Sequence, residues 1–247
     1  MSGLTIVPVA GLPELREGDD LAALVADRAE LEDGDVVVVA QKAISKVEGR
    51  VVRLDDYEPS DRAREIAAAD PENEADPRRI EAILQEAARV VRVRPPLVIC
   101  ETRHGFVCAS AGVDASNTPE PGTLVLLPLD PDASAARLRE ALRERTGRDV
   151  GVIVADSFGR PWRRGTTDVA LGAAGIDVVR EHIGERDPTG YELHATVIAI
   201  ADEIAAAAQL VMGKLDRNPA AVVRGLDIRG DGTAQQLVIP EAEDLFR

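Results

Sequence analysis

Residues 152–175 read VIVADSFGRPWRRGTTDVALGAAG. With Gly151 in front, the first residues are small or branched and apolar, the composition of a strand buried on both faces. Asp156 and Ser157 then stand where that strand is expected to end. Hard oxygen ligands at a strand end suit a magnesium or manganese ion that also holds phosphate oxygens. Gly159, Arg160, Pro161, Trp162, Arg163, Arg164 and Gly165 follow. Clustered guanidinium groups between glycines approach an anion closely and grip it bidentately. The plainer reading is a strand end followed by a solvated basic turn, and the segment by itself leaves both open.

Outward from this segment, further strand-like runs occupy residues 5–8, 35–40, 97–99 and 124–127. Helical periodicity covers residues 76–91, with Ile80, Ile83, Leu84, Ala87 and Val91 on one face, and residues 134–145, with Leu138 and Leu142. A helix over 19–30 starts at an aspartate suited to capping. Another lies within 198–212, whose ADEIAAAAQLVMG is rich in strong helix formers. The polar stretch 55–77 reads as a short helix flanked by exposed loops. Strands and helices interleave without βαβ periodicity, so the expected class is α+β with a mixed sheet, in one domain spanning residues 1–247.

The bulk numbers exclude several partners. Across 247 residues the formal net charge is -15, so a phosphate backbone is repelled and nucleic acid is not expected. Aromatic residues make up 2%, leaving Val, Leu, Ile and Ala to fill the core. Cys100 and Cys108 provide no disulfide framework and read as buried, reduced thiols. The N-terminus lacks a basic segment followed by a long apolar one, and no apolar run reaches the roughly 20 residues of a membrane span. A cytoplasmic protein without membrane partners is expected.

Other segments also carry possible chemistry. Asp114 lies in a Gly-Val-Asp-Ala-Ser-Asn turn, with Asn117 three residues on. Such residues are common in turns because they bond their own backbone; beside Asp156, Asp114 also offers the second carboxylate of a metal site. Gly11, Leu12, Pro13 and Glu14 follow the first strand, where the glycine permits close approach to a ligand or simply makes a loop. Gln41, Lys42, Ser45 and Lys46 follow a buried strand, and a lysine there is a point charge for phosphate. Neither GxxxxGK[ST] nor GxGxxG occurs, so any nucleotide is bound by another route. Finally, a helix breaks at Gly213 and a new apolar segment starts after Pro219. The loop between closes over a nucleotide or merely joins helix to strand.

In order along the chain, GLPE (11–14), GDDL (18–21), SKVEGR (45–50), HGFVCASAGVDASN (104–117), DSFGRPWRRGTTDVALGAAG (156–175), ADEIAAAAQLVMGK (201–214) and AAVVRG (220–225) resemble the coenzyme F-420:L-glutamate ligase family. The resemblance implies a mixed-sheet fold particular to that family, in two lobes and dimeric. It implies GTP-dependent addition of L-glutamate to the precursor F-420-0 through an acyl phosphate, then of a second, γ-linked glutamate. Two divalent ions, Mg2+ or Mn2+, and K+ are the implied cofactors, with GTP as co-substrate and a second copy of the chain as partner. By position, Asp114, Asp156 and Ser157 are the implied metal ligands. Asp156 and Arg160 are the implied catalytic residues. Gly11, Leu12, Pro13, Glu14, Gln41, Lys46 and Asn117 are implied to bind nucleotide, together with Met212, Gly213, Lys214, Leu215, Asp216, Arg217, Asn218 and Pro219.

Two residues depart from the family pattern. Lys214 stands where archaeal members often carry glutamate, and Gln41 replaces a small hydroxyl residue. Both variants resemble the ligase half of bacterial two-domain proteins, whose C-terminal flavin-dependent reductase domain has no counterpart after Arg247. The alternatives are a metal-dependent phosphohydrolase using the same aspartates, and a non-catalytic nucleotide- or deazaflavin-binding protein.

Overall fold

The computed structural model describes residues 3–72 and 74–245. In chain order they form β1 (Thr5–Pro8), α1 (Leu21–Ala26), β2 (Val36–Ala40), α2 (Gln41–Val47) and β3 (Val51–Arg53). Next come α3 (Asp61–Ala68), α4 (Pro77–Glu86), β4 (Ala87–Arg94), β5 (Leu97–Thr102), β6 (Val107–Ala109) and β7 (Thr123–Val125). The remainder holds α5 (Pro131–Thr146), β8 (Gly151–Arg160), β9 (Arg163–Ala174), β10 (Arg180–Glu181), β11 (Val197–Ile198), α6 (Ile200–Met212) and β12 (Ala220–Arg224).

The main sheet has the order β1-β12-β2-β8-β9. Only β2 and β8 run parallel, and the other pairings are antiparallel. This is the mixed sheet of an α+β protein. Its central strands are nearly all Val, Ile and Ala because helices cover both faces. Val37, Val39, Val152 and Val154 pack with α1 and α5, whereas Val36, Val38, Ile153 and Ala155 pack under α6. The strict alternation is the period-two geometry of extended backbone.

A third core lies apart from these two. Ile66 of α3, Ile80 and Ile83 of α4, Val98 and Cys100 of β5, and Val113, Leu124 and Leu126 close it. Its strands form the sheets β4-β5-β6 and β3-β7. Cys100 and Cys108 are register partners across β5 and β6, both buried free thiols as expected.

Four sequence expectations need correction. The helix expected over 76–91 stops at Glu86, and Ala87–Arg94 is β4. The segment AARVVRVR pairs through its backbone with β5, and that ladder overrides the apparent helical spacing. Asp156 and Ser157 also do not end a strand. β8 continues to Arg160 and turns back into β9, pairing Asp156 with Val169 and Ser157 with Asp168. The first helix is shorter than the span 19–30, covering Leu21–Ala26, and Asp20 caps it by accepting from the N–H of Ala23 at 2.9 Å. α5 begins at Pro131, before the periodic residues start.

Candidate active site

Asp114 and Asp156 meet across one cleft of about 230 Å³, whose lining includes Cys108, Ser157, Gly159 and Lys214. They arrive from different parts of the fold. Asp156 continues the row Val152, Val154 on β8, so its side chain leaves the sheet on the α1 and α5 face. Asp114 follows Val113 of the third core and exchanges two backbone hydrogen bonds with Val125, at 3.0 and 2.8 Å.

Lys42 joins the two parts. α2 leaves the end of β2 and projects Lys42 toward Asp114, where Nζ lies 2.6 Å from Oδ2. Nζ also donates to the carbonyl of Ser116 at 3.0 Å and to its hydroxyl at 2.8 Å. The N–H of Ser116 in turn donates to Asp114 Oδ1 at 2.6 Å. Burial opposes ionisation of Asp114, yet the Lys42 and Ser116 hydrogen bonds outweigh it and hold the carboxyl below its ordinary range. Burial is likewise the main influence on Lys42 and lowers its pKa, against the pull of Asp114.

Asp156 is the opposite case. Burial pushes its carboxyl up to about 7, the N–H of Ser157 and the charge of Lys42 pull it down, and Asp114 and Asp168 push it further up. No ion pair to Asp156 forms among the described residues. A carboxylate so placed has a strong electrostatic demand for a cation. With Asp114 it makes a pair of hard oxygen donors, the donor chemistry of magnesium and manganese rather than of soft metals. Among the described residues no group of three or more His, Cys, Asp or Glu side chains is arranged to hold a metal. An ion between the two aspartates therefore draws on water or substrate for its remaining ligands.

Ser157 lies on the opposite face of β8 from Asp156, beside α6. Its hydroxyl donates to Asp168 Oδ1 at 2.6 Å and accepts from Gln209 Nε2 at 3.0 Å. The single proton and one lone pair are thus committed, leaving one lone pair. Toward a ligand, Ser157 can act only as an acceptor. Burial raises the pKa of Asp168, while Ser157 and the charge of Lys214 counter it. Cys108 is no nucleophile, because burial pushes its thiol up to about 12 and the charge of Asp156 adds to the effect.

The other expected residues are placed unevenly. Glu14 and Lys46 form an ion pair, which brings the GLPE and SKVEGR segments together. Gln41 is buried at the start of α2 with Nε2 lacking a hydrogen-bond partner. The N–H of Ala40 donates to the carbonyl of Pro219 at 2.8 Å, so the loop after α6 abuts that same helix start. Lys214 reaches the cleft, while Leu215, Asp216 and Arg217 are exposed and Asn218 is half-buried. Gly213 takes φ +60, and a Cβ there would lie 1.9 Å from Asp216 Oδ2. Met212 packs in the core beneath α6, and the half-buried Leu12 packs against the α1 side. Gly11 lies in the loop after β1, where its carbonyl accepts from Arg28 Nε at 2.9 Å, and Pro13 follows in the same loop. Asn117 is exposed in the Asp114 turn with φ +54. Arg160 lies one residue beyond the cleft lining and donates to the carbonyl of Arg164 at 3.1 Å. Sequence reasoning missed Asp168 and Gln209. The first is set opposite Ser157 by hairpin register, and the second comes from a helix 52 residues away.

Comparison with known proteins gives a consistent picture. A model of the F420-0:gamma-glutamyl ligase family matches residues 11–225. The chain is 45% identical to the coenzyme F420:L-glutamate ligase of Methanopyrus kandleri over 100% of both chains. It is 46% identical to that of Archaeoglobus fulgidus, over 98% of this chain and 96% of the relative. It is 44% identical to that of Haloarcula marismortui, over 99% of this chain and 96% of the relative.

Proposed function

The chain belongs to the F420-0:gamma-glutamyl ligase family, and from that premise we propose that it is a GTP-dependent ligase joining L-glutamate to F-420-0. The observation that carries this reading is the meeting of Asp114 and Asp156 in one cleft with Lys42 and Lys214. It is an arrangement for gathering phosphate groups and a cation beside a reacting carboxylate.

A free carboxylate is a poor acyl donor. In the proposed reaction its oxygen attacks the γ-phosphorus of GTP, forming a carboxyl phosphate as the bond to GDP breaks. The glutamate amine then attacks the acyl carbon, a C–N bond forms and inorganic phosphate leaves. A second round adds the γ-linked glutamate. Asp114 and Asp156 would hold one divalent ion, Mg2+ or Mn2+, and Ser157 a second, with K+ as a further cation. When bound, such ions neutralise charge on the transferring phosphoryl group.

The chain's own residues do the positioning. Lys42 fixes Asp114 by holding both its carboxylate and the Ser116 turn. Asp168 and Gln209 fix the acceptor direction of Ser157. Lys214, at the rim, adds a positive charge for phosphate. The nucleotide is assigned to the surroundings of α2, where Gln41, the Glu14–Lys46 pair and the 213–219 loop converge, with Asn117 in the Asp114 turn. No helix among the described residues is long and apolar enough to cross a membrane. The same reading places the reaction in the cytoplasm, on a two-lobed homodimer.

Purified protein with GTP, F-420-0, glutamate and Mg2+ or Mn2+ tests the proposal. Mass spectrometry should show F-420-0 gaining one and then two glutamyl residues in step with GDP formation. Phosphate release without a glutamylated product would instead indicate a phosphohydrolase.

A further inference from the structure

The tip of the β8–β9 hairpin combines an exposed aromatic ring with clustered arginines. Arg160 and Arg163 are register partners, and Pro161 and Trp162 make the turn between them. Pro suits the first turn position because its φ is fixed. The second takes φ +57, a conformation normally left to Gly or Asn, yet it is filled by the only tryptophan in the chain. Trp162 is 85% exposed. A large ring in a strained, solvent-facing position is poor design for stability, and such strain gathers at functional positions.

The charge is equally unexpected. Like charges directly opposite in an antiparallel pair destabilise it, yet Arg160 faces Arg163 and Arg164 is next in sequence. In a chain of net charge -15 these residues make a local positive pole. Gly159 lines the cleft, and Trp162 is three residues further, about 10 Å at the strand rise of ~3.3 Å per residue. The acceptor of the proposed reaction is elongated: a carboxylate at one end, a phosphodiester next to it, and a fused aromatic ring at the other.

We propose that the hairpin tip is the acceptor's distal binding site: Trp162 stacks on its fused ring and Arg163 and Arg164 hold the phosphodiester, while its carboxylate reaches the Asp114–Asp156 cleft. The assignment rests on the ligase reading of that cleft. It divides the labour between a reacting end, fixed by the sheet, and a recognition end, fixed by a turn. The arginines supply charge attraction and the ring supplies a sequence-independent π surface, the combination that binds aromatic phosphates elsewhere.

The lone tryptophan makes the test direct. Titrating F-420-0 into the full-length protein without GTP or metal should quench Trp162 fluorescence saturably. Replacing both Arg163 and Arg164 by Ala should weaken that quenching, most strongly at low salt. In steady-state assays Trp162→Ala should raise the KM for F-420-0 about tenfold. The KM for GTP should stay within about twofold, and Trp162→Phe should recover most of the loss. An unchanged KM for F-420-0 in Trp162→Ala, with active wild-type enzyme, overturns the proposal and leaves the ligase reading intact. Saturable, arginine-dependent quenching in a wild-type protein without ligase activity would do the reverse. If Trp162→Ala changes only the oligomeric state on sedimentation, the tip is a contact between copies and the proposal falls.

Discussion

Asp156 and Ser157 are adjacent in the chain yet leave the sheet on opposite faces, and their chemistry diverges for that reason. Asp156 points toward Lys42 and Asp114 but forms no ion pair among the described residues, and burial moves its carboxyl from the usual 3.8 to about 7. Between those values the folded protein binds a proton that the unfolded chain has released. Stability of the metal-free protein therefore falls as pH rises from about 4 to about 7, and the penalty is complete above that window. Asp156→Asn removes the ionisable group. The metal-free variant should melt above wild type at pH 8, with the gap closing toward pH 4, while turnover falls by at least about 100-fold. Calorimetry at the two pH values checks the first part. A variant less stable than wild type at pH 8 would mean that the carboxylate is satisfied in a way the fold does not reveal.

At the scale of elements, the hairpin is held against the rest of the sheet by a close approach of α5. A Cβ on Gly172 of β9 would lie 2.1 Å from the carbonyl oxygen of Pro131, at the first turn of that helix. Asp132 completes the junction by accepting from the N–H groups of Ala173 and Ala234, both at 2.8 Å. Backbone cannot yield as a side chain can, so Gly172→Ala should cost about 2 kcal/mol or more. Gly159, on the partner strand, has nothing within 4 Å of its virtual Cβ. Gly159→Ala should stay within about 0.5 kcal/mol of wild type, as surface changes usually do. Urea unfolding of the two variants decides the matter, and equal midpoints would refute the close-contact argument. The displaced end of α4 belongs to this scale as well. Ala87 to Arg94 carries apolar residues at helical spacing, but β5 offers a backbone ladder that local periodicity cannot reveal.

Over the whole molecule, acid stability depends on carboxylates that the fold hydrogen-bonds. Arg78 holds the Asp76 carboxyl below its usual 3.8, and the Ser60 hydroxyl, with Gln85, holds Glu81 below its usual 4.5. Depressed values mean stability that is present above the ordinary pKa and lost as pH falls through the folded one. The double variant Asp76→Asn, Glu81→Gln should thus lose stability near neutral pH yet unfold less steeply below about pH 4. Circular dichroism across the acid range would show it, and parallel acid limbs would contradict it. Much of the architecture was legible in the sequence. Val-rich runs mark central strands because burial on both faces leaves no polar positions, and Asp20 marks a helix start by local hydrogen bonding. The family was legible from ordered motifs, and Asp114 and Asp156 stood out as candidate oxygen ligands. Their partners did not, since Lys42 to Asp114, Ser157 to Asp168 and Gln209 to Ser157 are pairings across register and across packed layers. The sequence by itself therefore determined the Val-rich central strands, the cap at Asp20 and the family the chain belongs to, all consequences of local pattern. Only the tertiary structure decided that β8 runs on past Asp156, that Asp156 ends half-buried with no ion pair among the described residues, and that Ser157 has one lone pair left. Those properties come from what the rest of the chain brings alongside, and no local spacing encodes them.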